Sequence, residues 1–299
     1  MTAVTAATDQ AEEQGPQAQP GYLRVLLRNR KFMIGFTILM IFILLALGGL
    51  LLVEGGQRAS GSFLPRLAPG EGGLLGTDAL GRSVAIQMSE AIPNSLQIGI
   101  IAAAFGTVVG AIIGFVSGYF GRAVDAALRV LIDVFLSVPS LLFLILIAAL
   151  LRGVGVQAMA LIIGLFAWAW PARQVRAQVL SLKERAFVQV ARMSGMSDLE
   201  IIFKELMPHM LPWLGANFVN AFIAAVLAES GLSILGLGPQ REMTLGMMIY
   251  WALNYSAILQ NLWWWWLAPV VTLIALFLAL YLIHLGFDEV SNPRLRAEP

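Results

Sequence analysis

The lysines of this chain stand where they cannot hold the phosphates of a nucleotide. A phosphate-binding loop of the form G-x-x-x-x-G-K-[ST] has a lysine directly after a glycine. None of the lysines, Lys31, Lys183 and Lys204, follows a glycine. The chain therefore lacks the chemistry for ATP hydrolysis. We expect the energy for its work to come from a partner protein or from an ion gradient.

The sequence also lacks residue sets for other kinds of catalysis. Ser230 stands next to Glu229, but neither histidine, His209 or His284, has a spacing that would make it a base for this serine. The histidines are also too few and too far apart in sequence for a metal cage. Without cysteine there is no disulfide, thiol nucleophile or thiolate ligand. We predict no catalytic residue, no metal site and no cofactor bound by this chain.

Three ionisable residues, Asp125, Arg129 and Asp133, recur at every fourth position and so share one face of a helix. Ionisable groups at a membrane face often serve transport. The interpretation we favour is an intrahelical ladder in which Arg129 pairs with both carboxylates. Ion-coupled carriers hold such groups deep in interrupted helices, whereas here they lie near the ends of apolar segments. An ion-coupled secondary transporter is therefore the alternative to transport driven by a partner.

Tryptophans supply further candidate site residues. The indoles of Trp263 to Trp266 point around all sides of a helix near its predicted outer end. Such residues commonly form an interfacial belt; the sharper hypothesis is an aromatic surface that contacts a sugar ring. In another apolar segment, Trp168 and Trp170 either line a transport path or simply pack against other side chains. The candidates for a pathway or an outer gate are Trp168, Trp170, Glu229, Trp263 and Trp264.

The composition determines the class of protein that must position these residues. The chain is 59% hydrophobic and 12% charged, with a mean hydropathy of +0.79, whereas a soluble domain has about 25% charged residues. Long apolar runs exclude a β-barrel, which would show short alternating segments. A net charge of +1 gives no reason to expect a nucleic-acid partner. We predict an all-α polytopic membrane protein in contact with lipid.

Six apolar segments are long enough to span a membrane, for which about 20 residues suffice. We predict Pro93 as the first residue of the second span, a tight turn around Gly121 and Arg122, and a bend of the third span at Pro139. The predicted spans are Phe32 to Val53, Pro93 to Arg122, Val134 to Leu151, Val156 to Ala172, Leu206 to Leu235 and Leu262 to Phe287.

These spans divide the chain into regions. We predict a disordered cytoplasmic tail (1–21), a basic lead-in with the first transmembrane helix (22–53), an extracytoplasmic loop (54–90), a five-helix transmembrane core that includes a cytoplasmic loop (91–290, with the loop at 173–205) and a cytoplasmic tail (291–299). With both termini inside, fourteen of the 19 Lys and Arg residues are cytoplasmic and five are outside. This arrangement satisfies the positive-inside rule.

The extracytoplasmic loop contains Gly76-Thr77-Asp78 and Gly81-Arg82. We favour a capped turn here over a role in gating or docking.

The longest polar interruption of the second half runs from Lys183 to Pro212. Its first part, to Met193, has the pattern of a short amphipathic helix, and Gly195 ends it. Ser197-Asp198-Leu199-Glu200 is a capping box that begins a new helix. We expect kinks at Pro208 and Pro212.

This stretch resembles the cytoplasmic loop that couples the membrane subunits of ABC importers to their ATPases. The family pattern is Glu-Ala-Ala, three residues, Gly, nine residues, Ile-x-Leu-Pro; Ala191, Gly195 and Pro208 match it, while Gln189 replaces the charged first residue. Further matches, in family order, are LLGTDALGRSV (74–84), SGYFGRAVDAALRVLIDVFLSVPSLL (117–142), LAESGLSILGLG (227–238) and NPRLR (292–296). Together they are similar to the second permease of the dipeptide/oligopeptide/nickel group.

The resemblance implies a permease subunit in a bacterial or archaeal cytoplasmic (inner) membrane. It implies a second homologous permease, two ABC ATPase subunits that bind ATP and Mg²⁺, and an extracytoplasmic solute-binding protein, with short peptides or oligosaccharides as substrate. We expect Phe187, Val190 and Met193 to fill a groove on an ATPase, with Glu184 or Arg192 at its rim. The full set of expected coupling residues is Glu184, Ala186, Phe187, Gln189, Val190, Ala191, Arg192, Met193, Gly195 and Pro208.

Overall fold

The computed structural model describes residues 22–52, 60–71, 73–151 and 153–291, which form helices joined by turns. The helices are α1 (Tyr22–Arg28), α2 (Arg30–Leu52), α3 (Val84–Phe120), α4 (Arg122–Ser137), α5 (Ser140–Leu150), α6 (Val156–Ala167), α7 (Ala169–Leu182), α8 (Ala186–Met193), α9 (Asp198–Ile234), α10 (Leu245–Asn254) and α11 (Trp263–Ser291). The predicted all-α fold is confirmed. The predicted tail 1–21, the NPRLR match and the predicted tail 291–299 beyond its first residue lie outside the described residues.

Four of the helices, α2, α3, α9 and α11, are long and apolar enough to cross a membrane. Two further pairs pass the same test together but are bent, α4 with α5 by 72° and α6 with α7 by 40°. The bend of the first pair lies at Pro139, as predicted, because proline lacks an N–H and so cannot continue the helical hydrogen bonds. The described residues hold four spans, or up to six if each bent pair is one span. Six spans with both termini inside stays a prediction.

The start of α3 corrects the prediction for Pro93. The helix begins at Val84, so Pro93 lies inside it and is not its first residue. The preceding loop is folded, and it starts the helix early: the Val84 amide donates to the Gly76 carbonyl, and the Gln87 amide donates to the Ser83 carbonyl. Contacts with the folded loop, and not the proline, therefore determine where α3 starts.

Small residues allow α3 and α7 to pack closely. Gly106, Gly110, Gly114 and Gly118 recur every fourth residue along α3. A Cβ at Gly110 would lie 2.6 Å from the Trp168 carbonyl oxygen, and one at Gly114 would lie 2.6 Å from the Val175 Cβ. Since no real side chain tolerates these distances, only glycine permits this backbone approach, which is common between membrane helices.

The turn between α3 and α4 is as tight as predicted. Gly121 has φ +64°, and the next residue, Arg122, has φ +49°. The Lys183 ammonium donates to the Gly118 carbonyl at 2.9 Å, where the partial negative charge of the α3 C-terminus favours a cation. Positive φ at two consecutive residues interrupts the helical backbone between α3 and α4.

Buried apolar side chains join the ends of α3, α7, α8 and α9 into one unit, which we call the inner cluster. Its buried members are Phe115, Tyr119, Val175, Val179, Val188, Ala191, Ile201, Ile202, Leu206 and Met210. A larger core around the fully buried Trp265 packs α3, α9, α10 and α11 together. By contrast, α4 and α5 bury only Ile132, Leu144 and Ala148.

Candidate functional site

The outward face of α8 is apolar at its centre. Ala186, Gln189, Val190 and Met193 are all exposed and share one side of the helix, at the i, i+3, i+4 and i+7 positions. Val190 is 56% exposed and Met193 is 81% exposed. We call these four residues the α8 surface. The amphipathic helix is confirmed, but it begins at Ala186 because Arg185 is extended and forms its N-cap.

The opposite side of α8 packs into the inner cluster. Val188 and Ala191 are buried there. Phe187 is half-buried, and its ring stacks on the His209 ring with centroids 4.7 Å apart. Phe187 therefore does not share the α8 surface with Val190 and Met193. The position of Phe187 in the helical pattern of the sequence did not reveal this inward orientation, because its partner, His209, lies on another helix.

The turn after α8 follows the sequence signals. Gly195 has φ +80°, a conformation that favours glycine, and it ends the helix. The Ser197 hydroxyl caps the Glu200 amide while the Glu200 carboxylate accepts from the Ser197 amide, so the predicted capping box is present. Glu200 also pairs with Lys204 at 2.7 Å. The next helix, α9, thus starts at a fixed place relative to α8.

The prolines near the start of α9 do not interrupt the helix. Ile201–Leu206 is a π-helical turn, in which the Met207 amide donates to the Ile202 carbonyl. Pro208 follows in the first positions of the α-helical part, and Pro212 lies inside it. Proline lacks an N–H and crowds the carbonyl four residues earlier. We attribute the widened turn to this crowding, which is a usual cause of such bulges.

A polar contact ties this region to the end of α3. The Tyr119 hydroxyl donates to the Asp198 carboxylate at 2.7 Å. A hydrogen bond with the same hydroxyl raises the pKa of the exposed Arg192 guanidinium above its usual range. Tyr119 also belongs to the inner cluster, so it links the end of α3 to the start of α9 and to Arg192 of α8.

A groove of about 490 Å³ opens beside the bend between α4 and α5. Phe135, Val138 and Ser140 line one wall, while Trp170 and Asn220 contribute to the other. None of the lining residues is ionisable. A row of small side chains on α9 forms its floor: Ala221, Ala224, Ala225 and Ala228.

The candidate tryptophans of the fourth predicted span have different environments. Trp168 is buried, and its ring lies 4.8 Å from the Phe135 ring. Trp170 is 50% exposed and lines the groove. Of the two, the structure brings only Trp170 to a cavity wall.

Glu229, a candidate for the outer gate, is fully buried. Its carboxylate accepts hydrogen bonds from Ser233 and Thr244, both at 2.6 Å. Thr244 also caps the start of α10. Through these contacts, Glu229 links α9 to the start of α10.

The tryptophan run is divided between surface and interior. Trp263 is half exposed, and Trp265 is fully buried. Trp264 donates its indole N–H to the Thr77 carbonyl at 3.1 Å and so fastens the loop before α3 to α11. The four indoles do not form one aromatic surface.

The loop before α3 contains a buried polar network, in which Arg82 Nη2 and Gln87 Oε1 have no hydrogen-bond partner among the described residues. Asp78 is fully buried and accepts from the Leu80 amide, from the Arg82 amide and side chain, and from the Gln87 side chain. The capped turn that we favoured for this segment is present.

The fold agrees with comparisons to known proteins. Residues 106–297 match the family described as the inner membrane component of binding-protein-dependent transport systems. The match covers more than half of the chain. The chain therefore belongs to this family of multi-pass membrane permeases.

Individual relatives extend the match over nearly the whole chain. A protein of Brucella suis biovar 1 (strain 1330), named for a peptide transport system permease, is 34% identical over 92% of both chains. The oligopeptide transport system permease protein OppC of Lactococcus lactis subsp. cremoris (strain SK11) is 31% identical over 75% of this chain and 76% of its own.

Among solved structures, an inward facing conformation of the MetNI methionine ABC transporter matches with a TM-score of 0.55 and 20% identity. The match covers 71% of this chain and 97% of that one. At this identity the likeness establishes the fold. It supports the helical permease architecture that the sequence predicted.

Proposed function

We propose that this chain is the permease subunit of an ATP-driven importer of short peptides in a bacterial inner membrane. It would form half of the translocation pathway with a second, homologous permease. Two separate ATPase subunits would bind ATP and Mg²⁺ on the cytoplasmic side, and a solute-binding protein would deliver the substrate outside. The names of the relatives support peptides as the substrate class.

The observation that carries this proposal is the α8 surface. Val190 and Met193 expose apolar side chains in a polar region of the chain, where contact with water costs free energy. The other side of the same helix is held in the inner cluster through Val188 and Ala191. A rigid helix with an exposed apolar face is suited to insertion into a groove of a partner. We therefore assign ATPase docking to Ala186, Gln189, Val190 and Met193, with Glu184 and Arg192 at the rim.

The groove beside Pro139 is our proposed segment of the pathway. The side chains of Ser140, Trp170 and Asn220 have hydrogen-bonding groups, and among the described residues none of the three makes a side-chain hydrogen bond. Peptide substrates share backbone amides whatever their sequence, and such groups need partners when water is excluded. A wall without charges would accept many sequences. We rank peptides above oligosaccharides because Trp264 and Trp265 are engaged inside the fold.

The test replaces Val190 and Met193 together by Asp in the complete importer. Burying unpaired carboxylates in a dry contact costs several kcal/mol, so ATPase retained on affinity-purified permease should fall by more than about tenfold. Membrane insertion should be unchanged because both positions are exposed. Gln189→Ala is the matched comparison on the same surface: it shortens one polar side chain of the proposed contact and buries no charge, so it should cost much less of the retained ATPase than the double Asp variant.

Two results would contradict the proposal. One is a double Asp variant that assembles with the ATPase and transports like the wild type. The other is substrate uptake by the isolated chain in vesicles, driven by a proton or sodium gradient, since that would favour the ion-coupled alternative.

A further inference from the structure

The bent pair α4–α5 (122–150), which we call the limb, is loosely attached to the rest of the molecule. Among all its side chains, only Ile132, Leu144 and Ala148 are buried. The limb nevertheless forms one wall of the groove, through residues such as Phe135 and Ser140. A segment with so few buried contacts can change its position at modest free-energy cost.

One strong polar contact holds the limb to the inner end of the bundle. The Arg176 guanidinium of α7 donates two hydrogen bonds to the Asp125 carboxylate of α4, at 2.6 and 2.7 Å. The Ser117 hydroxyl of α3 donates a third, at 2.6 Å. Both charged side chains are 20% exposed. A paired, two-point geometry of this kind fixes orientation as well as distance.

This pairing differs from the ladder that the sequence favours. Arg129 contacts only Asp133, at 3.6 Å, and both side chains are largely exposed. Asp125 is instead engaged by residues of α3 and α7. The ladder prediction is therefore wrong for Asp125, because Arg176 lies far away in sequence and reaches it only when α7 packs on α3.

The ion pair spans the turn where the limb begins. Gly121 and Arg122 both have positive φ, so the regular helical backbone is interrupted between α3 and α4. Asp125 lies just beyond this turn, and its partners lie on helices that contribute to the inner cluster. The pair thus connects the two sides of a local hinge.

On the other side of the ion pair, Arg176 lies on α7, which packs with α8 in the inner cluster. Its neighbours Val175 and Val179 on α7 are buried in the inner cluster with Val188 and Ala191 of α8. A displacement of α8 would therefore carry α7 and Arg176 with it. The direct polar connection from there to the limb is the Asp125 carboxylate, beside the apolar packing of Ile132 against Ala169 and Ala172 of α7.

We propose that the Asp125–Arg176 ion pair is the contact through which movement of α8 repositions the limb and so reshapes the groove. These two are positioning residues: they touch neither the ATPase nor the substrate. The inference rests on the proposed function, because it assigns a driving partner to α8 and a pathway to the groove. Its signature is uncoupling, in which ATP is hydrolysed without transport.

The first experiment measures ATPase activity and peptide uptake by reconstituted importers carrying Asp125→Asn or Arg176→Gln. Each variant should assemble and keep its ATPase activity within about twofold, while uptake falls by at least about tenfold, as expected for loss of a bidentate charge-assisted contact. The charge exchange, Asp125→Arg with Arg176→Asp, should restore part of the uptake. Arg129→Gln is the control, because it removes an equal charge from an exposed pair on the same helix and should transport normally.

A second experiment follows the limb itself. The chain has no cysteine, so spin labels can be placed specifically at Val130→Cys on the limb and Gln178→Cys on α7, both exposed positions. In the wild-type background, the distance between them should stay constant when a non-hydrolysable ATP analogue binds the complex. With Asp125→Asn, it should change or broaden, because the limb no longer follows α7.

Several outcomes would overturn the proposal. Normal uptake in both single variants would show that the pair transmits nothing. Loss of assembly, ATPase and uptake together, without recovery in the charge exchange, would make it a stability element only. An unaltered label distance in Asp125→Asn would contradict the hinge. Failure of the wild-type chain to retain an ATPase would instead contradict the proposed function, so the two failures are distinguishable.

Discussion

The two ends of the helical bundle use polar and apolar side chains in opposite ways. At the loop end, Asp78 and Glu229 are fully buried, and both carboxylates accept several hydrogen bonds. At the α8 end, Gln189 is exposed and the apolar side chains of Val190 and Met193 face solvent. The loop end is closed in the sense that both carboxylates are buried and hydrogen-bonded within the fold, although Arg82 Nη2 and Gln87 Oε1 are buried without a partner among the described residues. The α8 end has an apolar surface that the described residues leave uncovered.

This difference predicts two kinds of mutational effect. A buried carboxylate is tolerated only while its hydrogen bonds are complete, so changes at the loop end should lower stability. Changes on the α8 surface should leave stability almost intact and weaken association with the ATPase. Variants that violate this division would show that the two ends are not functionally separate.

The largest effect on stability is expected for Asp78→Ala. The substitution leaves the Arg82 side chain and the amides of Leu80 and Arg82 without their buried acceptor. Removing one partner of a buried charged pair costs about 3 kcal/mol or more. Thermal unfolding of the purified protein should show a clear fall in Tm. ATPase retained per folded permease should be unchanged.

Glu71→Ala is the control for this measurement, because Glu71 is an exposed carboxylate in the same loop. It should leave Tm unchanged. A normal Tm for Asp78→Ala, or a selective loss of ATPase binding, would contradict the closed character of the loop end.

A sharper distinction is available within α8 itself. Phe187→Ala removes a half-buried ring that stacks on His209, and we expect a loss of about 2 kcal/mol, less than for a fully buried ring. Val190→Ala, one helical turn away on the exposed side, should hardly change Tm but should weaken ATPase retention. Equal effects of the two substitutions on Tm would mean that Phe187 is not part of the inner cluster.

Local signals predicted several features of the fold and site correctly. The long apolar runs give the helices, and Gly195 with the Ser197–Glu200 capping box fixes the end of α8 and the start of α9. The break at Pro139 also agrees with the structure. Each of these depends on residues within one or two helical turns, which is the range over which backbone hydrogen bonds are decided.

The errors concern contacts between distant parts of the chain. Asp125 pairs with Arg176 and not with Arg129, and Phe187 turns inward to His209. The start of α3 is set by loop contacts that override Pro93. Such partners are chosen by helix packing, here by the close approach of α3 and α7. The glycines at every fourth residue of α3 permit this approach, but their spacing does not identify the helix that packs against them.

The smallest predicted effect is that of Gly195→Ala, which should change both stability and association with the ATPase. An added Cβ would meet no atom within 4 Å, so the cost is that of holding a non-glycine residue at φ +80°, about 1 kcal/mol. The cost falls on the turn that orients α8, so a modest decrease in Tm should accompany a modest loss of ATPase retention. Gly195→Asn is the matched control, because asparagine adopts left-handed conformations more readily. The asparagine variant should lie between glycine and alanine in both Tm and retained ATPase. An asparagine variant with lower values than the alanine variant would show that space near Gly195, and not its backbone conformation, determines the effect.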